Sequence, residues 1–168
     1  MRKEIFPGRW TSRAEGDFVV FLIGLRINKP FAIRQWRPVA KAMPAMQQEL
    51  GRHPELGCIH TENWFGRTTI SLQYWRDFES LRSYARNPDQ AHLPAWRAFN
   101  QAIRDNGTVG IWHETYRVHR GESEAIYGNM PRFGLASAFE HLMAASIGNS
   151  AGKRIGVDVD DITPVDPY

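Results

Sequence analysis

The chain has 168 residues and a mass of 19.3 kDa, with 42% hydrophobic and 23% charged residues and a formal net charge of +3. These are the values of one ordinary globular domain able to bury its own core, and they exclude global disorder. No apolar run approaches the ~20 residues that span a bilayer, so no membrane partner is expected.

The N-terminal MRKEIFPGRW has basic residues but no apolar signal core, and Cys58 is the single cysteine. An internal disulfide and a multi-cysteine metal site are therefore excluded, and a cytoplasmic location is the expectation. Arginines such as Arg34, Arg37, Arg76, Arg82, Arg86, Arg97 and Arg104 are interspersed with acids. That spacing fits solvated helix faces and not a stripe that tracks phosphates, so no nucleic-acid partner is expected. Six tryptophans point to an aromatic core, an apolar pocket or a dimer interface.

Residues 1–16 lack sustained periodicity and predict an N-terminal arm pinned by Trp10. DFVVFLIGLRI, residues 17–27, predicts a strand that is apolar on both faces, with Gly24 open to close approach by a ligand or another chain. Asn28-Lys29-Pro30 breaks the strand, and a helix is predicted with Pro30 in its first turn and Trp36, Val39 or Ala40, Met43, Met46 and Leu50 on one face. Pro38 and Pro44 lie inside it and predict a kink or two short helices ending at Gly51. CIHTENWF (58–65) and TTISLQYW (68–75) predict a hairpin turned by Gly66-Arg67. Asp77 reads as the N-cap of a helix FESLRSYAR, and Pro94 opens a second helix carrying Trp96, Phe99 and Ile103. TVGIWHETYRV, 108–118, predicts the last strand.

The order β-α-β-β-α-β is the ferredoxin-like arrangement, an α+β fold with both helices on one face of the sheet. The core domain is expected at 17–118. A crossover with helical character in LASAFEHLMAASIG is expected at 119–148, and a loose tail at 149–168. The sheet's second face is apolar or aromatic in the first and last strands. A second copy or the C-terminal extension has to cover it, and two sheets packed face to face give a dimeric α/β-barrel.

Six strings carry a family resemblance: GDFVVFLIGLRINKP, HPELG, QYWRDFESLRSYARNPD, HLPAWRAFN, GIWHETY and YGNMPRFGLA. Together, over roughly residues 8 to 136, they resemble a monooxygenase-like family that includes a tailoring enzyme of fumagillin-type polyketide biosynthesis. That family lies within the antibiotic-biosynthesis-monooxygenase superfamily of dimeric α/β-barrels. The resemblance implies cofactor-free oxygenation of electron-rich substrates, haem-dependent oxygenation, or a more distant aldoxime-dehydratase-like chemistry. It also places His92 near the position of an iron-binding helix histidine, so the cofactor expected is either none or haem b.

His92 sits close to Trp96 and Phe99, where it is a base for a phenol-like substrate, an axial haem ligand or a backbone-bonded helix-start residue. His113 shares a strand face with Val109, Ile111 and Thr115, while Trp112, Glu114 and Tyr116 face away. Trp112-His113-Glu114 is therefore not a triad, and only one face of that strand serves a given pocket. Glu114, if buried, calls for a partner such as Arg26 or Arg117. Trp75, Tyr84 and Trp96 wall an aromatic pocket or belong to the core, and Asn28 is a polarising amide or a turn residue.

The leading expectation is a monooxygenase-like enzyme acting on a small apolar, unsaturated or aromatic substrate, with His92 or His113 as base. A haem protein and a non-catalytic dimeric small-ligand-binding protein are the alternatives. The apolar second face predicts a homodimer at micromolar concentration by size exclusion with light scattering, and a strictly monomeric species contradicts it.

Overall fold

The computed structural model describes residues 3–90, 93, 94, 96, 97, 100 and 106–161, with the backbone alone at Val39 and residues 41–43. Contacts divide the chain into two compact units, residues 19–116 and residues 1–18 with 117–168.

The first unit is built on a four-stranded sheet of order β3-β4-β2-β5, with β2 Phe18–Ile27, β3 Cys58–Trp64, β4 Ile70–Trp75 and β5 Val109–Val118. β2 pairs antiparallel with β4, Phe21 opposite Gln73 and Ile23 opposite Ser71, and β4 pairs antiparallel with β3. Helix α1 (Ile33–Arg52) follows β2 and α2 (Phe78–Arg86) follows β4, giving the ferredoxin-like order. The predicted helix after Pro94 falls largely outside the described residues, although Leu93, Pro94, Trp96, Arg97 and Asn100 are helical.

Alternation along the strands sorts the side chains onto two faces. Val19, Phe21 and Leu25 of β2, Trp75 of β4 and Val109 and Ile111 of β5 meet the helices. One cluster joins Val19, Cys58 and Trp75 to Leu50 of α1 and to Leu81 and Tyr84 of α2. Another joins Leu25 and Val109 to Trp36 and Ala40. α1 runs unbroken through Pro38 and Pro44. Each proline removes one intrahelical donor, and the apolar face pressed on the sheet holds the helix together across both gaps. α2 begins as the sequence predicts, with the Asp77 carboxylate accepting from the Ser80 N–H at 2.6 Å.

The hairpin differs from expectation. Residues 65–69 connect β3 to β4, because the chain beyond Gly66-Arg67 first runs along β2. The Ile27 N–H donates to Arg67 O at 2.8 Å and the Thr69 N–H to Leu25 O at 2.8 Å, so regular pairing with β3 resumes only at Ile70.

The second unit holds most of the departures from the sequence reading. The stretch read as an arm forms β1 (Phe6–Arg13), the middle strand of an antiparallel sheet of order β6-β1-β7. β6 is Tyr127–Met130, inside the expected crossover, and β7 is Glu140–Met143, inside the segment read as helical. Only Leu135–Ala138 there is α-helical, with a 3₁₀ turn at Ala144–Ser146. A bulge separates Phe6 from Arg9, and the Gly8 N–H within it donates to Asn129 Oδ1 at 2.9 Å. Residues 149–161, expected as a loose tail, contain a helical turn at Ala151–Arg154 and are tied by Asp161, which accepts from the Asn149 and Ser150 N–H groups. Among the described residues no helix is long and apolar enough to cross a membrane.

Gly24 is a point of close approach, by the chain's own groups and not by the ligand or second chain expected. A Cβ added there would lie 1.9 Å from Thr69 O and 2.7 Å from Trp112 Nε1, so backbone and an indole occupy the space. Gly24→Ala therefore lowers stability by about 1–3 kcal/mol, read as a reduced urea midpoint, and an unchanged midpoint contradicts the packing.

Candidate functional site

Several candidate groups of the first unit lie on the helix-facing side of the four-stranded sheet. A small cavity, about 30 Å³, is lined by Phe21 and Ile23 of β2, Gln73 of β4, Met46 and Leu50 of α1, and Leu81, Tyr84 and Ala85 of α2. His113 belongs to this side, its ring 5.7 Å from that of Phe21. The ring is exposed, and its nitrogens make no hydrogen bond among the described residues. Of the two orientations open from sequence, the structure therefore places His113 toward the helices and Trp112, Glu114 and Tyr116 on the opposite face.

Beneath the cavity runs a polar ladder along one face of β4. The Trp75 indole N–H donates to Gln73 Oε1 at 2.9 Å, and Gln73 Nε2 donates to Ser71 Oγ at 3.3 Å. All three residues are buried, Trp75 completely. Because indole is a donor only, this contact fixes which end of the Gln73 amide is oxygen. Among the described residues, one Nε2 hydrogen of Gln73 has no hydrogen-bond acceptor.

The other ionisable groups on this side are held out of reactive states. Burial pushes the Cys58 thiol up to about 12, so it remains protonated. Tyr84 donates to Glu49 Oε2 at 2.8 Å, and burial followed by that bond drives its ionisation well above the ordinary phenol range. His113, by contrast, is exposed.

The remaining sequence candidates separate. Trp75 and Tyr84 are core neighbours with ring centroids 5.6 Å apart. Tyr84 lines the cavity, whereas Trp75 lies under it in the core cluster. Trp96 is exposed at its helical position. Asn28 lies at the end of β2, its backbone N–H donating to Thr108 O at 3.0 Å and its amide beside Gly110 on the Trp112 side of β5. His92 and Phe99, and with them the haem-ligand expectation, lie outside the described residues.

Glu114 is exposed and accepts from the Tyr116 hydroxyl at 2.5 Å, which corrects the expected arginine pair. Arg26 is directed instead to Thr68 Oγ1. His53 and His60 pair with Glu55 and Glu62. Sequence reasoning missed Gln73. The signal was available in Ser71-Gln73-Trp75, two polar residues on the strand face that also bears a tryptophan. Among the described residues no cluster of His, Cys, Asp and Glu is arranged to hold a metal ion.

A mixed α/β ferredoxin-like sheet-and-helix topology defines the fold class. Residues 18–135 match the family described as Monooxygenase af470-like, and the chain belongs to that family. It is 34% identical over 124 residues to Monooxygenase af470 of Aspergillus fumigatus, a match covering 68% of this chain and 44% of that protein. The chain thus spans less than half the length of this curated relative. Among solved structures it is similar to SnoaB, a cofactor-independent oxygenase from Streptomyces nogalater, with 15% identity, a TM-score of 0.41 and coverage of 60% of this chain and 91% of that one. It is also similar to a putative antibiotic biosynthesis monooxygenase from Deinococcus radiodurans, with 13% identity, a TM-score of 0.44 and coverage of 66% and 99%.

The burial of Cys58 leads to a direct expectation. The native thiol resists a disulfide reagent at about pH 8, near the pKa of an ordinary cysteine, and reacts once the protein is unfolded in urea. Rapid labelling of the native protein contradicts the described core.

Proposed function

We propose that this chain is an oxygenase for a small apolar substrate that is aromatic or unsaturated and carries an acidic C–H or phenolic O–H group, with His113 as general base. The observation that carries the reading is the position of His113 beside Phe21 on the helix-facing side of the sheet, where Cys58 and Tyr84 are locked in their protonated forms. Membership of the monooxygenase family supports the reaction class.

In this reading neutral imidazole removes the substrate proton and leaves a delocalised carbanion or enolate that reacts with dioxygen. Converting a methylene to a carbonyl consumes one dioxygen and releases one water, so the overall step balances without an added reductant. The uncommitted Gln73 amide hydrogen is suited to the developing enolate oxygen, because Trp75 and Ser71 hold the amide in one orientation. A cavity of about 30 Å³ admits only water-sized guests. A ring-sized substrate therefore displaces Met46, whose unbranched side chain repacks at little cost.

We further read the chain as a homodimer formed through the face bearing Val20, Leu22, Leu72 and Trp112. Support comes from the row of half-buried apolar side chains on that face. The haem reading rests on His92 and is separated by a Soret band in the purified protein that is lost in His92→Ala.

Oxygen uptake with a panel of ionisable polycyclic phenols tests the proposal. His113→Ala is expected to lower kcat by about 100-fold or more with little effect on the urea midpoint, since the ring is exposed. A variant that turns over at the wild-type rate overturns the assignment of the base.

A further inference from the structure

The second unit contains a separate cavity of about 130 Å³ between the end of β1, residues 120–124, Ile147 and Arg154. One water needs roughly 10–15 Å³ on this measure, so the space suits a small ion or headgroup and not a polycycle. Three arginines, Arg13, Arg120 and Arg154, line it against one carboxylate, Glu124.

The carboxylate is already engaged. Arg154 holds Glu124 Oε1 through Nε at 2.7 Å and through Nη2 at 2.5 Å. Its Nη1 donates to Gly148 O at 3.1 Å and to Asn149 O at 2.7 Å. With its side chain 5% exposed, Arg154 is a buried pillar of the wall. Among the described residues Arg13 uses only Nη2, toward Glu140 at 2.8 Å, and the rest of its fork is open.

Arg120 differs from both. Its backbone N–H donates to Asp17 Oδ1 at 2.9 Å, which fixes the residue in place. The other Asp17 oxygen is occupied by His119 Nδ1 at 3.0 Å. The Arg120 guanidinium has no hydrogen bond or ion pair among the described residues. A planar guanidinium fork left open beside a cavity matches the two oxygens of a carboxylate or phosphate.

Ser12 supplies a second, independent observation. It lies on the cavity wall, is only 9% exposed, and its buried hydroxyl has no hydrogen-bond partner among the described residues. Buried hydroxyls are nearly always paired, because leaving one unmade forfeits its hydration. An oxygen-rich ligand pairs it as an acceptor.

We propose that this cavity binds a small oxoanion group, a carboxylate or a phosphate, with Arg120 and Arg13 supplying charge and Ser12 a neutral donor. The site lies wholly within the second unit and does not depend on the role proposed for His113.

Titration calorimetry and thermal denaturation of the full chain with inorganic phosphate, with acetate and with chloride at matched ionic strength test it. A saturable, stoichiometric response to phosphate or to acetate is expected, and whichever acts identifies the headgroup. Arg120→Gln is expected to weaken that binding at least tenfold while leaving the unliganded Tm unchanged, and Arg120→Lys to restore part of it. Ser12→Ala is expected to weaken it several-fold. Equal responses to all three anions, or binding to Arg120→Gln that matches the wild type, overturn the proposal.

Discussion

The indole N–H of Trp75 has to be paired inside a closely packed core, and the polar groups on the helix-facing side of the sheet are arranged by how that is done. Trp75 is fully buried between sheet and helices, where an unpaired donor costs about 1–3 kcal/mol. Gln73, two residues earlier on the same strand face, supplies the acceptor, and Ser71 accepts in turn from the Gln73 amide. A rigid polar rail is thereby set into an otherwise apolar surface, directly below Phe21, Met46 and Tyr84. A rail of this kind stabilises the core and, in the same geometry, offers an oriented amide to whatever lies above it.

The rest of that face is notable for how little of it can ionise. Cys58 and Tyr84 are buried in the core cluster, and both are driven toward their protonated forms. Glu49 is bonded to the Tyr84 hydroxyl. His113 escapes this because β5 is an edge strand, where one flank of the imidazole touches Phe21 and the other stays open. Edge placement thus combines contact with Phe21, which lines the cavity, and exposure to solvent.

Much of this architecture was legible because it rests on local chemistry. Asp77 caps α2 through a side chain three residues from its partner, and the strand of residues 17–27 declares itself by β-branched residues on both faces. Gly24 was readable as a point of close approach. What escaped depends on partners distant in sequence. FPGRWTSR carries a proline, a glycine and two arginines, and it becomes a strand only because residues 127–130 and 140–143 pair with its two edges. EHLM has helix-forming composition, but the Ser12–His141 and Thr11–Leu142 pairings draw it into the sheet. For the site, alternation alone left two orientations of β5 open, and the contact between His113 and Phe21 decides between them. Gln73 went unnoticed because a polar residue in a strand reads as solvent-facing until the burial of its neighbour Trp75 is known.

The proposed oxygenase function requires a substrate to sit on the helix-facing side of the sheet. A crystal structure of the protein soaked with a polycyclic phenol tests it directly. The expected result is a ring packed on Phe21 and Met46, with its oxygen within hydrogen-bond reach of His113 and the Gln73 amide. A ligand bound elsewhere, with His113 still facing solvent and the cavity closed, would contradict it.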